Sequence, residues 1–174
     1  MSEQRDQWEL QAGEWYRYMT PLRPHPDDTA VVERIAAELV PAGRSLEMVM
    51  LGVTAETALA DLPGGTRLRA FDSSPGVVER LWPADRVSEG FTVGVASWSA
   101  LPVQSASVDL AVADGSLVCI SWPEEAAAVI AEVRRVLRRG GRFVARTFLR
   151  PETPETSRRS STISRRAASA ALMC

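Results

Sequence analysis

The sequence predicts a three-layer α/β domain in which a mostly parallel sheet lies between helices. Short apolar runs of strand length alternate along the chain with longer segments of helical periodicity. The runs that end at Gly52 and at Asp114 are apolar almost without interruption, as expected of strands buried on both faces. With 174 residues, 45% of them hydrophobic, the chain is long enough for one domain of this kind.

The N-terminal part predicts two helices separated by prolines. Residues 3–19 are rich in Glu, Gln, Arg and aromatic residues, and three apolar side chains share one helical face, namely Trp8, Trp15 and Met19. This face would either pack on the domain or form a lid over a ligand site. After the prolines, Asp27 or Asp28 is the expected N-cap of the second helix.

Five strand candidates follow, with helices between them. The strand candidates are residues 46–51, 67–71, 90–96, 108–113 and 142–149. Helices are expected at residues 54–59, 75–82 and 123–138. Thr54 and Ser74 suit the N-caps of the first two, and Gly140-Gly141 is expected to end the third. Strands that alternate with helices imply right-handed crossovers and therefore a parallel sheet.

Composition divides the chain into three regions. A helical segment is expected over residues 1–26 and the main domain over residues 27–150. Residues 151–174 consist largely of Ser, Thr, Arg and Ala. Because this tail has little apolar surface to bury, we expect it to be disordered.

Charge and cysteine content argue against several classes of function. The net charge of −2 gives no reason to expect attraction to nucleic acid or to a membrane. Cys119 and Cys174 are far apart and His25 is the single histidine, so no metal site is expected. The polar N-terminus shows no secretory signal, and no apolar run is long enough to span a bilayer. We therefore expect a cytoplasmic protein.

The predicted strand ends point to a ligand site. In a doubly wound sheet, ligands bind outside the carboxyl ends of the strands. That edge would bring together residues 52–56, 72–73, 96–98 and 114–116. Asp72 lies 20 positions after Gly52, the distance expected of a carboxylate that accepts hydrogen bonds from the two ribose hydroxyls of a nucleoside. Alternatively, Asp72 would only cap the helix that follows it.

The turn after the first strand argues against a dinucleotide. A nicotinamide-dependent enzyme would normally carry three glycines there, and this turn has only Gly52. Thr54 and Glu56 carry side chains that would crowd a pyrophosphate, and Glu56 would add negative charge beside it. A ligand without phosphates at this turn remains compatible with the sequence.

Other residues at the strand ends have two interpretations each. Trp98 would lie against a flat adenine or would be a half-buried packing residue. Asp114 would orient a substrate or close a turn, and Gly115 would allow close approach of backbone. With a single histidine, no Ser/His/Asp or Cys/His catalytic set is present, and Cys119 is expected to be an inert core thiol.

Between Glu47 and Phe148 the chain resembles the class I S-adenosylmethionine (SAM)-dependent methyltransferases. Five segments in the family's order carry the resemblance: 49–56 (VMLGVTAE), 70–75 (AFDSSP), 97–102 (SWSALP), 107–114 (SVDLAVAD) and 133–144 (VRRVLRRGGRFV). The resemblance implies a Rossmann-like sheet ordered 3-2-1-4-5, with SAM as the cofactor in its cleft. In this sequence the family's strands six and seven are expected to be missing.

The resemblance also implies roles for individual residues. The amino-acid end of SAM would lie at the turn near Gly52, the ribose at Asp72, and the adenine beside Trp98. The residues that it implies at the cofactor are Gly52, Thr54, Glu56, Asp72, Ser73, Ser97, Trp98, Asp114 and Gly115. Those that we expect near a methyl acceptor are Trp15, Tyr18, Ser116 and Trp122.

Two functions are therefore expected, in order of preference. The first is SAM-dependent methyl transfer to a small-molecule acceptor. The second is a catalytically silent methyltransferase-like module for binding or interaction. Three departures from the family pattern favour the second: the single glycine of the first motif, Ser97 where an acid is often found, and the shortened C-terminus.

Overall fold

The computed structural model describes residues 14–148, apart from the side chain of Tyr16. Its strands are β1 Glu47–Leu51, β2 Arg67–Asp72, β3 Phe91–Val95, β4 Val108–Asp114 and β5 Leu137–Arg146. Its α-helices are α1 Pro26–Leu39, α2 Ala55–Ala58, α3 Pro75–Leu81 and α4 Glu124–Val136, and its 3-10 helices are Trp15–Arg17 and Ser116–Cys119.

The five strands form one parallel sheet in the order β3-β2-β1-β4-β5, as the sequence predicts. β1 and β4 lie at the centre of the sheet, and residues 48–51 of β1 are fully buried. These are the strands whose apolar runs are almost uninterrupted, because both of their faces are covered by other elements.

Alternate residues of β1 belong to two cores on opposite faces of the sheet. Val49 and Leu51 pack in a cluster that includes four side chains of α4, whereas Met48 and Met50 pack in a cluster with Val32 and Ala36 of α1. Because successive side chains of a strand point to opposite faces, this division defines the three layers. The predicted three-layer α/β class is therefore confirmed.

The predicted N-terminal helix is wrong for the residues that the structure describes. Only a 3-10 turn, Trp15–Arg17, forms within residues 14–19, and Tyr18 has an extended backbone. Trp15 packs against the core while Met19 is 79% exposed, so the two do not share a buried face. The remainder of the predicted helix, including Trp8, lies outside the described residues.

The second helix begins at Pro26, two residues earlier than the predicted N-cap Asp27 allows and three earlier than Asp28 allows. His25 is the N-cap: its Nδ1 accepts from the backbone N–H of Asp27 at 3.3 Å, and its own N–H donates to Asp28 Oδ2 at 2.8 Å. Pro26 then occupies the first helical position, where its missing N–H costs nothing. The two aspartates are therefore first-turn residues and not caps.

Gly140 and Gly141 belong to β5 and do not end the preceding helix, which is a second correction. α4 ends at Val136, and β5 pairs with β4 from Leu137 onwards. Val108 pairs with Leu137 but Leu110 pairs with Arg142, so β5 contains extra residues that form a bulge. Gly140 has a φ of +83°, a conformation that favours glycine at such an irregularity.

The remaining helices agree with the predictions to within a few residues. Thr54 precedes α2, and the Ser74 hydroxyl accepts from the Val77 N–H at 3.3 Å, as expected of an N-cap. No helix within residues 14–148 is long and apolar enough to cross a membrane. The predicted tail, residues 151–174, lies outside the described part of the chain, and the domain bounds of 27–150 stay a prediction.

At the amino edge of the sheet, Asp109 connects residues from three other parts of the chain. Its carboxylate accepts from two Arg44 nitrogens at 2.6 Å each, from Arg138 at 3.0 Å, and from the backbone N–H of Glu47 at 2.9 Å. Burial by itself would raise the pKa of Asp109, but these hydrogen bonds outweigh burial and lower the pKa to about 2. The charged form is thus stabilised in the folded protein.

We predict that Asp109→Ala lowers the free energy of unfolding by about 3 kcal/mol, because the two arginines lose a shared buried partner. Urea denaturation at neutral pH measures the effect. Because the folded pKa lies below the ordinary value of 3.8, the difference from wild type should be present above pH 3.8 and shrink as the pH falls towards about 2. Glu38→Ala, which breaks exposed ion pairs with Arg34 and Arg142, is the control and should have little effect. Equal effects of the two variants would contradict the assignment.

Candidate functional site

The carboxyl ends of the strands converge on the backbone at Gly52. The residue has a φ of +91°, and its N–H donates to the Phe71 carbonyl at 2.7 Å. A β carbon built on Gly52 would lie 3.0 Å from Ser116 Oγ, 3.7 Å from the Trp98 ring and 3.9 Å from Asp72 Oδ2. Residues that follow β1, β3 and β4 therefore meet the last residue of β2, as the strand-end argument predicts.

Backbone carbonyls hold two of these side chains in place. Trp98 Nε1 donates to the carbonyl of Phe71 at 2.7 Å, so one carbonyl accepts from both the indole and Gly52. The hydroxyl of Ser116 donates to the carbonyl of Leu51. The half-buried indole also packs against the core cluster on the α4 face. Both side chains are thus held by backbone carbonyls at the ends of β1 and β2.

Asp72 is a mostly buried carboxylate at the end of β2. Burial raises its pKa to about 6, although hydrogen bonds from the backbone N–H groups of Ser74 and Ser73 act in the opposite direction. Asp72 Oδ1 accepts from Ser74 at 2.8 Å. The Ser74 hydroxyl is the N-cap of helix α3, and Asp72 accepts from the backbone that leads into it.

Asp114, at the end of β4, pairs with Arg146 on the neighbouring strand. Arg146 Nε donates to Asp114 Oδ1, and its other nitrogens donate to the carbonyls of Pro21 at 2.6 Å and Leu22 at 3.2 Å. Burial raises the pKa of Asp114 despite the opposing hydrogen bonds from Arg146 and Thr54. Arg146 thereby fastens the segment before α1 to the carboxyl edge of the sheet.

Glu56 makes a second contact with that segment. Both Nε, at 2.7 Å, and Nη2 of Arg23 donate to Glu56 Oε1. The other oxygen, Oε2, is buried and has no hydrogen-bond partner. The Oε2 atom of Glu56 is thus neither solvated nor paired.

The other predicted residues are placed as follows. Ser73 and Ser97 are exposed, and Ser97 Oγ lies 2.9 Å from Ser99 Oγ. Gly115 has a φ of +70° in the turn between Asp114 and Ser116, and no side chain would fit this conformation without strain.

The residues predicted to lie near a methyl acceptor are not all close to one another. The rings of Trp15 and Tyr18 are 6.2 Å apart in an edge-to-face arrangement, and Trp15 packs on a cluster containing Val53. Trp122 is 65% exposed and lines a surface groove along α4 with Ile130. Of the four, Ser116 is the one that contributes an atom to those nearest a β carbon on Gly52.

Sequence reasoning missed Arg23 and Arg146. Neither lies in a motif, and each acts through a tertiary contact. Arg146 could have been found from strand register, because it pairs directly with Asp114 across β4 and β5. Arg23 leaves no comparable signal. Among residues 14–148, no group of three or more His, Cys, Asp or Glu side chains could hold a metal ion.

The strand order and the helices on both faces of the sheet define a Rossmann-like domain whose strand ends converge beside Gly52. A family model described as "Methyltransferase domain" matches residues 50–145, more than half of the chain. The chain therefore belongs to this family, the class I SAM-dependent methyltransferases.

Individual relatives are similar over part of their length. The malonyl-[acyl-carrier protein] O-methyltransferase of Hahella chejuensis is 40% identical over 84 residues, which is 48% of this chain and 28% of that protein. The solved CcbJ methyltransferase from Streptomyces caelestis has a TM-score of 0.61 and 19% identity, over 77% of this chain and 54% of that one. A TehB-like SAM-dependent methyltransferase from Corynebacterium glutamicum has a TM-score of 0.58 and 15% identity, over 80% of this chain and 72% of that one. The chain spans less than a third of the length of the curated relatives it matches.

We predict that Asp72→Asn raises the free energy of unfolding at neutral pH by about 1–2 kcal/mol, because the wild-type carboxylate is ionised in a site that disfavours its charge. The folded pKa of about 6 lies above the ordinary 3.8, so wild type loses stability as the pH rises from 3.8 through 6. Urea denaturation across this range should show the gain at neutral pH and none below pH 3.8. Asp85→Asn, at an exposed position, is the control. A neutral or negative effect of Asp72→Asn would refute the prediction.

Proposed function

We propose that this protein is a SAM-dependent methyltransferase that acts on a small-molecule acceptor. Family membership supports the use of SAM. The single observation that carries the proposal is the convergence of Asp72, Trp98 and Ser116 on the space beside Gly52.

The residues present fit the nucleoside half of SAM. Any side chain at residue 52 would enter the space that Ser116 and Trp98 border, and glycine leaves that space free. The Oδ2 atom of Asp72 faces the same space, and a carboxylate accepts hydrogen bonds from two vicinal hydroxyls at once. Neither Thr54 nor Glu56 contributes any of the three atoms nearest to a β carbon on Gly52.

Each residue has a separate task in the proposed reaction. Bound SAM supplies a methyl group on a sulfonium that is already a good leaving group. Asp72 would hold the ribose hydroxyls, and the indole of Trp98 would border the adenine. The turn from Asp114 to Ser116 would face the acceptor, and Arg146 fixes the position of the Asp114 carboxylate. Orientation of the acceptor can supply much of the rate enhancement, so a dedicated base is not required.

A cavity beside Asp114 supports a small acceptor. It has a volume of about 330 Å³ and lies between α1 and the carboxyl ends of β4 and β5. Its lining is largely apolar, with Val32, Val112 and Val144, while Asp28, Asp114 and Arg146 supply charge; the residues around Gly52 are not part of it. Pockets of this size and character suit small organic molecules.

We expect the protein to bind SAM and S-adenosylhomocysteine in isothermal titration calorimetry. Asp72→Ala should weaken both affinities by about tenfold or more, since it removes a charged acceptor of hydrogen bonds. The exposed Asp85→Ala is the matched control and should bind as wild type does. Absence of heat with wild type at millimolar ligand would reject the proposal, and unchanged binding by Asp72→Ala would reject the ribose assignment.

Binding should also depend on pH. The pKa of Asp72 is about 6 in the free protein, and its ionised form is the stronger acceptor for the two hydroxyls. The affinity for S-adenosylhomocysteine should therefore fall as the pH drops below about 6, by up to about tenfold per pH unit. Calorimetry between about pH 7.5 and pH 5 measures the slope, and Asp72→Ala should lack it. An equally steep slope in that variant would assign the titration to another group.

A second candidate function is a catalytically silent module that binds the ligand without methyl transfer. It is favoured by the first-motif turn, where Glu56 is held by Arg23, and by Ser97, which offers no carboxylate to the adenine amine. Incubation with labelled SAM and a broad panel of acceptors distinguishes the two functions. Methyl transfer to any acceptor excludes the silent module.

A further inference from the structure

We propose that two copies of this chain associate through α4, with the two α4 helices packed antiparallel about a two-fold axis. The contact surface is the apolar groove that runs along the outer side of α4 from Trp122 to Arg134, which we call the α4 groove. The inference does not depend on the proposed function, because the α4 groove contains none of the residues that converge beside Gly52.

The first argument is the exposure of large apolar side chains in the α4 groove. Trp122 is 65% exposed and Ile130 is 42% exposed. The indole is held in this position, because its Nε1 donates to the carbonyl of Leu117 at 3.2 Å. Ala127 and Ala131 line the same groove, and their small side chains allow another helix to approach closely. A fixed, exposed tryptophan beside aliphatic side chains is typical of a protein–protein contact surface.

The second argument is that the charges of α4 complement those of an antiparallel copy of the same helix. The first turn of α4 carries Glu124 and Glu125, and its last turn carries Arg134 and Arg135. Antiparallel packing places the acidic turn of each copy opposite the basic turn of the other, and the two-fold axis makes this contact twice. The helix dipoles are also opposed in that arrangement. Parallel packing would bring like charges together, so charge selects the antiparallel orientation.

The third argument is that one residue of each charged turn is available for another molecule. Glu125 accepts from a backbone N–H just before the helix at 2.9 Å, and Arg135 pairs with Glu132 at 2.7 Å. Glu124 and Arg134 have no such partner among residues 14–148. They lie ten positions apart, about 15 Å along the helix, so they do not pair with each other within one copy.

One register satisfies the charged and the apolar contacts together. If Glu124 of one copy lies opposite Arg134 of the other, Ala127 lies opposite Ala131 of the other copy. The helices would then be closest at their smallest side chains. The indole of Trp122 in each copy would pack against the last turn of the other helix, where arginine side chains offer both methylene groups and charge. The second copy is therefore an occupant that fits the whole length of the α4 groove.

The experiment is sedimentation velocity of the full chain from low to high micromolar concentration. The variants are Ile130→Glu, Arg134→Glu, the double variant Glu124→Arg/Arg134→Glu, and the control Arg86→Glu. Arg86 is exposed between α3 and β3, so the control makes the same change of charge outside the α4 groove. Far-UV circular dichroism and urea denaturation check that each variant is folded, as expected of exchanges between good helix formers at exposed positions.

We expect wild type to form a dimer with a dissociation constant in the micromolar range, and Ile130→Glu to remain monomeric because it would bury a charge. Arg134→Glu should raise the dissociation constant by about tenfold or more, since it places like charges together at two symmetric contacts. The double variant should return it to within about threefold of wild type, because each pair is restored with opposite polarity. Arg86→Glu should leave it unchanged within about twofold.

Each other outcome overturns the proposal. A wild type that stays monomeric rejects the second copy as the occupant, and a loss of unfolding free energy in Ile130→Glu would then assign the α4 groove to a part of this chain outside residues 14–148. A dimer that persists in Ile130→Glu uses another surface. A double variant as weak as Arg134→Glu rejects the antiparallel register, and equal weakening by Arg134→Glu and Arg86→Glu reduces the effect to net charge.

Discussion

The backbone at Gly52 is the constraint on which the rest of the site depends. Its positive φ turns the chain out of the central strand, and its N–H shares the carbonyl of Phe71 with the indole of Trp98. Because four parallel strands end at this one point, side chains from distant parts of the sequence become neighbours. A side chain at residue 52 would close the space that they surround, and the turn would be strained in addition.

The buried carboxylates at the two edges of the sheet have pKa values that are shifted in opposite directions. At the amino edge, Asp109 is surrounded by Arg44, Arg138 and a backbone N–H, and these donors lower its pKa. At the carboxyl edge, Asp72 is buried with only backbone donors, and its pKa rises. The first arrangement stabilises the fold, whereas the second keeps a charged group that lowers the free energy of unfolding at neutral pH. Such a cost is typical of residues that are kept for binding.

Much of the fold and of the nucleoside half of the site could be predicted from the sequence. The three layers and the position of Asp72 follow from apolar periodicity and from spacing, which are local properties, whereas the strand order follows from the family resemblance. The predictions were wrong where a second feature of the sequence outweighed the local rule that had been applied. His25 replaced the aspartates as N-cap because Pro26 takes the first helical position, and Gly140 lies in a bulge because β5 begins sooner than the helix pattern suggests.

By itself, the sequence determined that a parallel α/β sheet forms and that Gly52, Asp72, Trp98 and Asp114 lie at strand ends. Apolar patterning and strand direction suffice for this, since the carboxyl ends of parallel strands share one edge. Only the tertiary structure decided how these residues are partnered. The pairing of Arg23 with Glu56 spans 33 positions and that of Arg146 with Asp114 spans 32. The Arg146–Asp114 pair depends on the register of β4 and β5, and the Arg23–Glu56 pair depends on the packing of the segment before α1, so neither pair is a property of the local sequence.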